Sequence, residues 1–157
     1  MKRWIWTLLV LLYVGFIFSN SMTPATESSR QSGAVLALVL DWLRAVGMDG
    51  AWVTEHLIRK TAHFVEYAFL GVLLWECLKA HRLERRFGVI LQAWLGTMIP
   101  LVDETIQLFT VGRSGQVSDV GLDMAGVAAG TCAAIIVCTQ GRKDATKTAG
   151  ARKQGAK

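Results

Sequence analysis

Four apolar runs separated by polar stretches set the plan of this chain. They cover about residues 4–19, 58–78, 87–108 and 118–139, and each approaches the roughly 20 apolar residues that a helix needs to cross a bilayer. One long connection, 20–57, joins the first two runs. It begins with NSMTPATESSRQSG, small and polar and therefore expected to be irregular. It continues with AVLALVLDWLRAVG, residues 34–47, which is helical in composition but too short to span, and Trp42 at its polar edge suits a helix lying in the membrane interface. The pattern predicts an all-α integral membrane bundle of four transmembrane helices, with a short interfacial helix in the long outer loop. Residues 1–140 make the membrane domain and 141–157 a basic tail expected to be disordered.

Composition agrees with that plan: of 157 residues, 52% are hydrophobic and 18% charged. The first run follows Lys2 and Arg3, as a signal peptide would, but no A-x-A-like site comes after it, so it is read as a retained anchor. Lys2 and Arg3, the group Lys79, Arg82, Arg85 and Arg86, and the basic residues of the tail fall on one side of a four-span chain. Only Arg30, Arg44, Arg59, Lys60 and Arg113 fall on the other. The bias places both termini in the cytoplasm, and it assigns the net charge of +5 to topology and anionic lipid, with no nucleic-acid partner. Cys77, Cys132 and Cys138 show no CxxC spacing and are expected to be buried apolar thiols.

Within the runs, Pro100 cannot donate a hydrogen bond, so it frees the Gly96 carbonyl and predicts a kink just before Asp103 and Glu104. Gly121, Ala125, Ala129 and Ala133 repeat every four residues beside the GxxxG of Gly126 and Gly130, a pattern that permits close helix approach within the bundle or between chains.

Ionisable residues collect at one depth. Lys60, His63 and Tyr67 share a helix face, with Glu66 three residues past His63; Asp103 and Gln107 lie one turn apart beside Glu104, and so do Asp119 and Asp123. Arg113 sits in the short loop TVGRSGQV. At about 1.5 Å per residue, His63, Glu66, Asp103 and Asp123 all fall about 5–9 Å below the outer edge. Such groups cost about 2.5–3.5 kcal/mol each in hydrocarbon, so they should face one another or a wet cavity. Single residues have plainer readings: Arg59 and Lys60 as snorkelling cations, Arg113 as a partner of Asp119 or Asp123. Charges from three helices at one depth favour a site. His56 and His81 are expected to be solvated, Glu76 to pair with Lys79 or Arg82, and Trp94 and the methionines to pack in the bundle.

KTAHFVEY, DETIQLF and GRSGQVSDVGLDMAG, taken in that order, resemble the VanZ-like family of small bacterial membrane proteins from about residue 59 to residue 130. The resemblance implies an address in the bacterial cytoplasmic (inner) membrane and a link to reduced teicoplanin susceptibility; it implies no reaction.

Two kinds of function fit the residues. An intramembrane enzyme on a lipid-linked envelope substrate would use His63 or Glu66 as acid or base, with Asp103 orienting or assisting. Lys60 and Arg113 would hold phosphate or carboxylate groups, with Tyr67, Glu104, Gln107, Asp119 and Asp123 completing the substrate site. A non-catalytic binding or shielding module would use the same groups as a pocket for an envelope precursor, lipid headgroup or drug. No metal or cofactor is assigned; a divalent cation on Asp103, Glu104 and Asp123 is the alternative that balances their excess negative charge.

Overall fold

The computed structural model describes residues 2–154, with side chains from residue 3 to residue 141. Five helices and, among the described residues, no strand make up the chain: α1 (Lys2–Ser21), α2 (Ala25–Ala45), α3 (Glu55–Ala80), α4 (Arg85–Leu108) and α5 (Val117–Gln154). All but α2 are long and apolar enough to cross a membrane, over Arg3–Ser21, Glu55–Ala80, Arg85–Leu108 and Val117–Gly141. The side chains of the expected basic tail lie outside the described residues.

Each spanning helix turns one stripe inward. On α1 it runs through Val10, Tyr13, Ile17 and Ser21; on α3 through Tyr67, Leu70, Leu74 and Cys77; on α4 through Gln92, Gly96, Ile99, Asp103 and Gln107. These spacings of three and four are the helical period. Leu9, Leu12, Phe69, Ile90 and Val137 point outward, as they must in a bundle solvated by hydrocarbon. Trp94, at 57% exposure, belongs to this outer surface and not to the packed interior. The same correction applies to Met22, Met48 and Met124 and to the thiols of Cys132 and Cys138; Cys77 alone of the cysteines is buried.

Lipid offers no hydrophobic drive between helices, so close van der Waals packing must hold them together. The α3–α5 pair supplies it through glycine. A Cβ on Gly126 would stand 2.6 Å from the Phe64 carbonyl oxygen, and a Cβ on Gly130 or Gly71 would overlap the carbonyl of Ala68 or Val127. The GxxxG is thus an intramolecular contact. Gln92 adds a polar tie, its amide donating to the Gly71 carbonyl at 3.2 Å and the Thr131 hydroxyl at 2.7 Å, which joins α4 to α3 and α5. The helix α4 continues through Pro100, which is itself buried.

The connection after α1 departs from expectation, because α2 starts at Ala25 and not near residue 34. Pro24 occupies its N-cap, Glu27 lies in its first turn, and Arg30 donates to Glu27 at 2.6 and 2.9 Å. A proline entry, an acid near the helix N-terminus and a pair three residues apart outweigh the serine content of PATESSRQS. This polar first half matters for position: Ala25 donates its amide to Val111 at 3.1 Å, fastening α2 to the α4–α5 loop.

Candidate functional site

The bundle end that carries α2 and the α4–α5 loop holds a two-storey polar site. The upper storey is an open cavity of about 170 Å³ whose walls include His56, Arg59, Lys60, His63, Gln107 and Arg113. Lys60 donates to Asp119 at 2.7 Å, tying α3 to α5 at the rim. Arg113 reaches Ser28 on α2 at 2.9 Å. It pairs with neither Asp119 nor Asp123, contrary to expectation. Gly112, at φ +75°, turns the loop so that Arg113 can face inward, a conformation glycine adopts without strain. Burial lowers the Arg113 guanidinium from its ordinary pKa, with Arg59 acting in the same direction and the Asp103, Glu104 and Glu66 carboxylates opposing. The group keeps its charge, so a desolvated cation lines the cavity. Arg59 likewise makes no ion pair among the described residues.

The lower storey is acidic. His63 from α3, Asp103 and Glu104 from α4 and Asp123 from α5 bring one ligand atom each to within 4.8 Å of one another. Asp103 and Asp123 are 0% exposed and Glu104 is 5% exposed. Ser21 donates its hydroxyl to Asp103 Oδ1 at 2.6 Å, and Gln107 donates its amide to Asp103 Oδ2 at 3.3 Å and to Glu104 Oε1 at 2.9 Å. The Gln116 amide N–H closes the set at 2.9 Å from Glu104 Oε2. Asp123 has no such support: neither carboxylate oxygen has a hydrogen-bond partner, and His63 Nδ1, 3.7 Å away, has none either. The Tyr67 hydroxyl, fully buried beside Asp103, is also unpartnered.

Of the residues chosen from sequence, nine meet around these two storeys: Lys60, His63, Tyr67, Asp103, Glu104, Gln107, Arg113, Asp119 and Asp123. Glu66 stands aside, toward α1, where Asn20 donates to its Oε1 at 3.0 Å and Tyr13 to its backbone carbonyl at 3.1 Å. Asn20, Ser21 and Ser28 were invisible as site residues. Their only sequence signal is a pair of polar residues ending the first apolar run and a serine one turn into α2. Arg59 and His56 line the cavity, His56 while remaining exposed. At the opposite end, His81 shares a 2.8 Å hydrogen bond with Thr7, and Lys79 pairs with Glu76 at 2.6 Å as expected.

The VanZ/LLP1 family model matches residues 5–138, nearly the whole of the bundle. The chain belongs to the VanZ/LLP1 family. No curated protein and no solved structure gives a significant match to it. In VanZ/LLP1 terms, the matched segment takes in α1 through the spanning part of α5, so every residue of the two storeys lies inside it.

Proposed function

We propose that this VanZ/LLP1 protein binds the phosphate-bearing headgroup of a lipid-linked cell-envelope component at the outer leaflet of the bacterial inner membrane. The observation that carries the reading is the cavity walled by Arg59, Lys60 and Arg113, in which only Lys60 has a carboxylate partner. Guanidinium groups match phosphate oxygens in pairs, and a partly desolvated cation gains most from an anion. The concentration of Lys and Arg at the other end of the bundle supports the outward orientation, because the basic end stays in the cytoplasm. The exposed apolar residues Val35, Leu38 and Trp42 of α2, the helix whose first residue Ala25 lines the cavity, suit an interfacial position.

Size bears on the antibiotic phenotype. A cavity of about 170 Å³ is smaller than the ~300–1,000 Å³ clefts that hold drug-sized ligands, so it accommodates a headgroup and not a glycopeptide. An effect on teicoplanin susceptibility would then arise through the envelope component and not through capture of the drug. His63 lines the cavity as well as the acidic cluster beneath it, its buried Nδ1 turned toward Asp123.

A photoreactive amino acid at Leu122, which lines the cavity, tests the reading in native membranes. The adducts should be enriched in polyprenyl phosphates or diphosphates relative to those formed from Ile90, an outward residue at 66% exposure. Identical adduct profiles at the two positions would refute headgroup selection.

A further inference from the structure

We propose that His63, Asp103, Glu104 and Asp123 form a binding site for a divalent transition cation of the Mn²⁺ class. The four donors come from α3, α4 and α5 and their ligand atoms lie within 4.8 Å of one another. Atoms no farther apart than this can gather around one divalent cation, whose bonds to oxygen are about 2.0–2.6 Å long. The 3.7 Å between His63 Nδ1 and Asp123 Oδ1 is too long for a hydrogen bond and suits two ligands of one ion.

A cluster of acids alone would not point to a metal; the unmet groups do. Asp123 is 0% exposed, and both its oxygens lack a partner, as does His63 Nδ1 facing it. Buried carboxylates are ordinarily hydrogen-bonded or paired, and this one is aimed at three other ligand atoms. No nearby Lys or Arg pairs with these carboxylates: Lys60 bonds Asp119, Arg113 bonds Ser28, and Arg59 makes no ion pair among the described residues. Asp103 and Glu104, by contrast, are held by Ser21, Gln107 and the Gln116 amide, with each oxygen keeping a free lone pair. Outer hydrogen bonds that fix ligating carboxylates while leaving an inward lone pair are the usual support of a metal site.

The donor set selects the ion. Three carboxylates satisfy a hard cation, and an imidazole nitrogen shifts preference from Mg²⁺ and Ca²⁺ toward Mn²⁺, Fe²⁺ or Zn²⁺. A divalent cation balances two of the three buried negative charges inside the bundle. This inference does not depend on the headgroup reading, because the cation is measured without lipid.

The test is a titration of MnCl₂ into full-length protein, purified in detergent and stripped with EDTA, followed by electron paramagnetic resonance. One Mn²⁺ should bind per chain, and pulsed spectra should show modulation from an imidazole nitrogen. His63→Gln should abolish the nitrogen signal, and Asp123→Asn should weaken binding by about 100-fold or more, since it removes a direct ligand where loss of outer-shell partners alone costs ~10–100-fold. Glu76→Gln, at the opposite end, should titrate as wild type. No saturable Mn²⁺ binding, a nitrogen signal that survives His63→Gln, or undiminished binding by Asp123→Asn would overturn the site. If either variant fails to fold, the wild-type stoichiometry and nitrogen signal still decide. Polyprenyl phosphate bound without Mn²⁺ would leave the headgroup reading intact while this proposal falls.

Discussion

Gly130→Leu should cost about 2 kcal/mol or more of stability in detergent, whereas Gly121→Leu, nine residues earlier on the same helix, should cost nothing and gain up to roughly 1 kcal/mol. The contrast follows from what a side chain would meet. At Gly130 even a Cβ overlaps the Ala68 backbone carbonyl, and backbone cannot rotate out of the way as a side-chain tip can. At Gly121 nothing lies within 4 Å. Replacing glycine in a helix is intrinsically favourable by roughly 1 kcal/mol, so any loss at Gly130 must exceed that gain; overpacking of about 1–3 kcal/mol, or more against rigid backbone, does. Thermal unfolding followed by circular dichroism checks both variants. Equal midpoints for the two would mean that α3 and α5 do not meet at these glycines, and the floor assembled from His63 and Asp123 would lose its scaffold.

In the presence of EDTA, Asp123→Asn should make the protein more stable, by about 1–3 kcal/mol. The wild-type carboxylate is 0% exposed, lacks any hydrogen-bond donor, and shares its small space with Asp103 and Glu104. An amide of the same shape removes one like charge and supplies two N–H donors to neighbouring carboxylate oxygens. Higher stability on neutralising Asp123 would mean that the carboxylate is retained for what it binds, a trade between stability and function seen at working sites. The measurement is the melting midpoint with and without chelator. A fall in stability under EDTA would mark Asp123 as a structural carboxylate, and its unmet oxygens would then need another account.

The four spans were legible because lipid imposes a length and a composition that few other contexts do, and their observed bounds differ from the expected ones only at the ends. Small residues at Gly126 and Gly130 announced a close contact, though period alone left open whether the partner was α3 or another chain. The first half of α2 was hidden by composition: serine and threonine read as loop, while the cues that made it helical, Pro24 and the Glu27–Arg30 pair, were local and few. Within the site, the charged residues were legible because charge in a span is costly and must be explained. Their partners were not. Arg113 lies six residues from Asp119 in sequence, yet Lys60, fifty-nine residues away, holds that carboxylate, and Arg113 crosses to Ser28. Ser21 escaped notice because a neutral serine at a helix end is ordinary; only the fold places its hydroxyl 2.6 Å from a buried aspartate.

The upper and lower storeys make different demands on a ligand, and together they explain why a hydrophobic helix begins with Arg59, Lys60 and His63. The cations face an open cavity, and the histidine links that cavity to buried acids. The central claim is that the headgroup's phosphate, and not its hydrocarbon, is what the site selects. The most direct test compares binding of a polyprenyl phosphate with binding of the matching polyprenol, which lacks only the phosphate, to the protein in phosphatidylcholine nanodiscs. The account predicts that the phosphate form binds at least about tenfold tighter, a difference of about 1.4 kcal/mol, and that Arg113→Gln erases most of that preference. Equal affinity for the two lipids would contradict it.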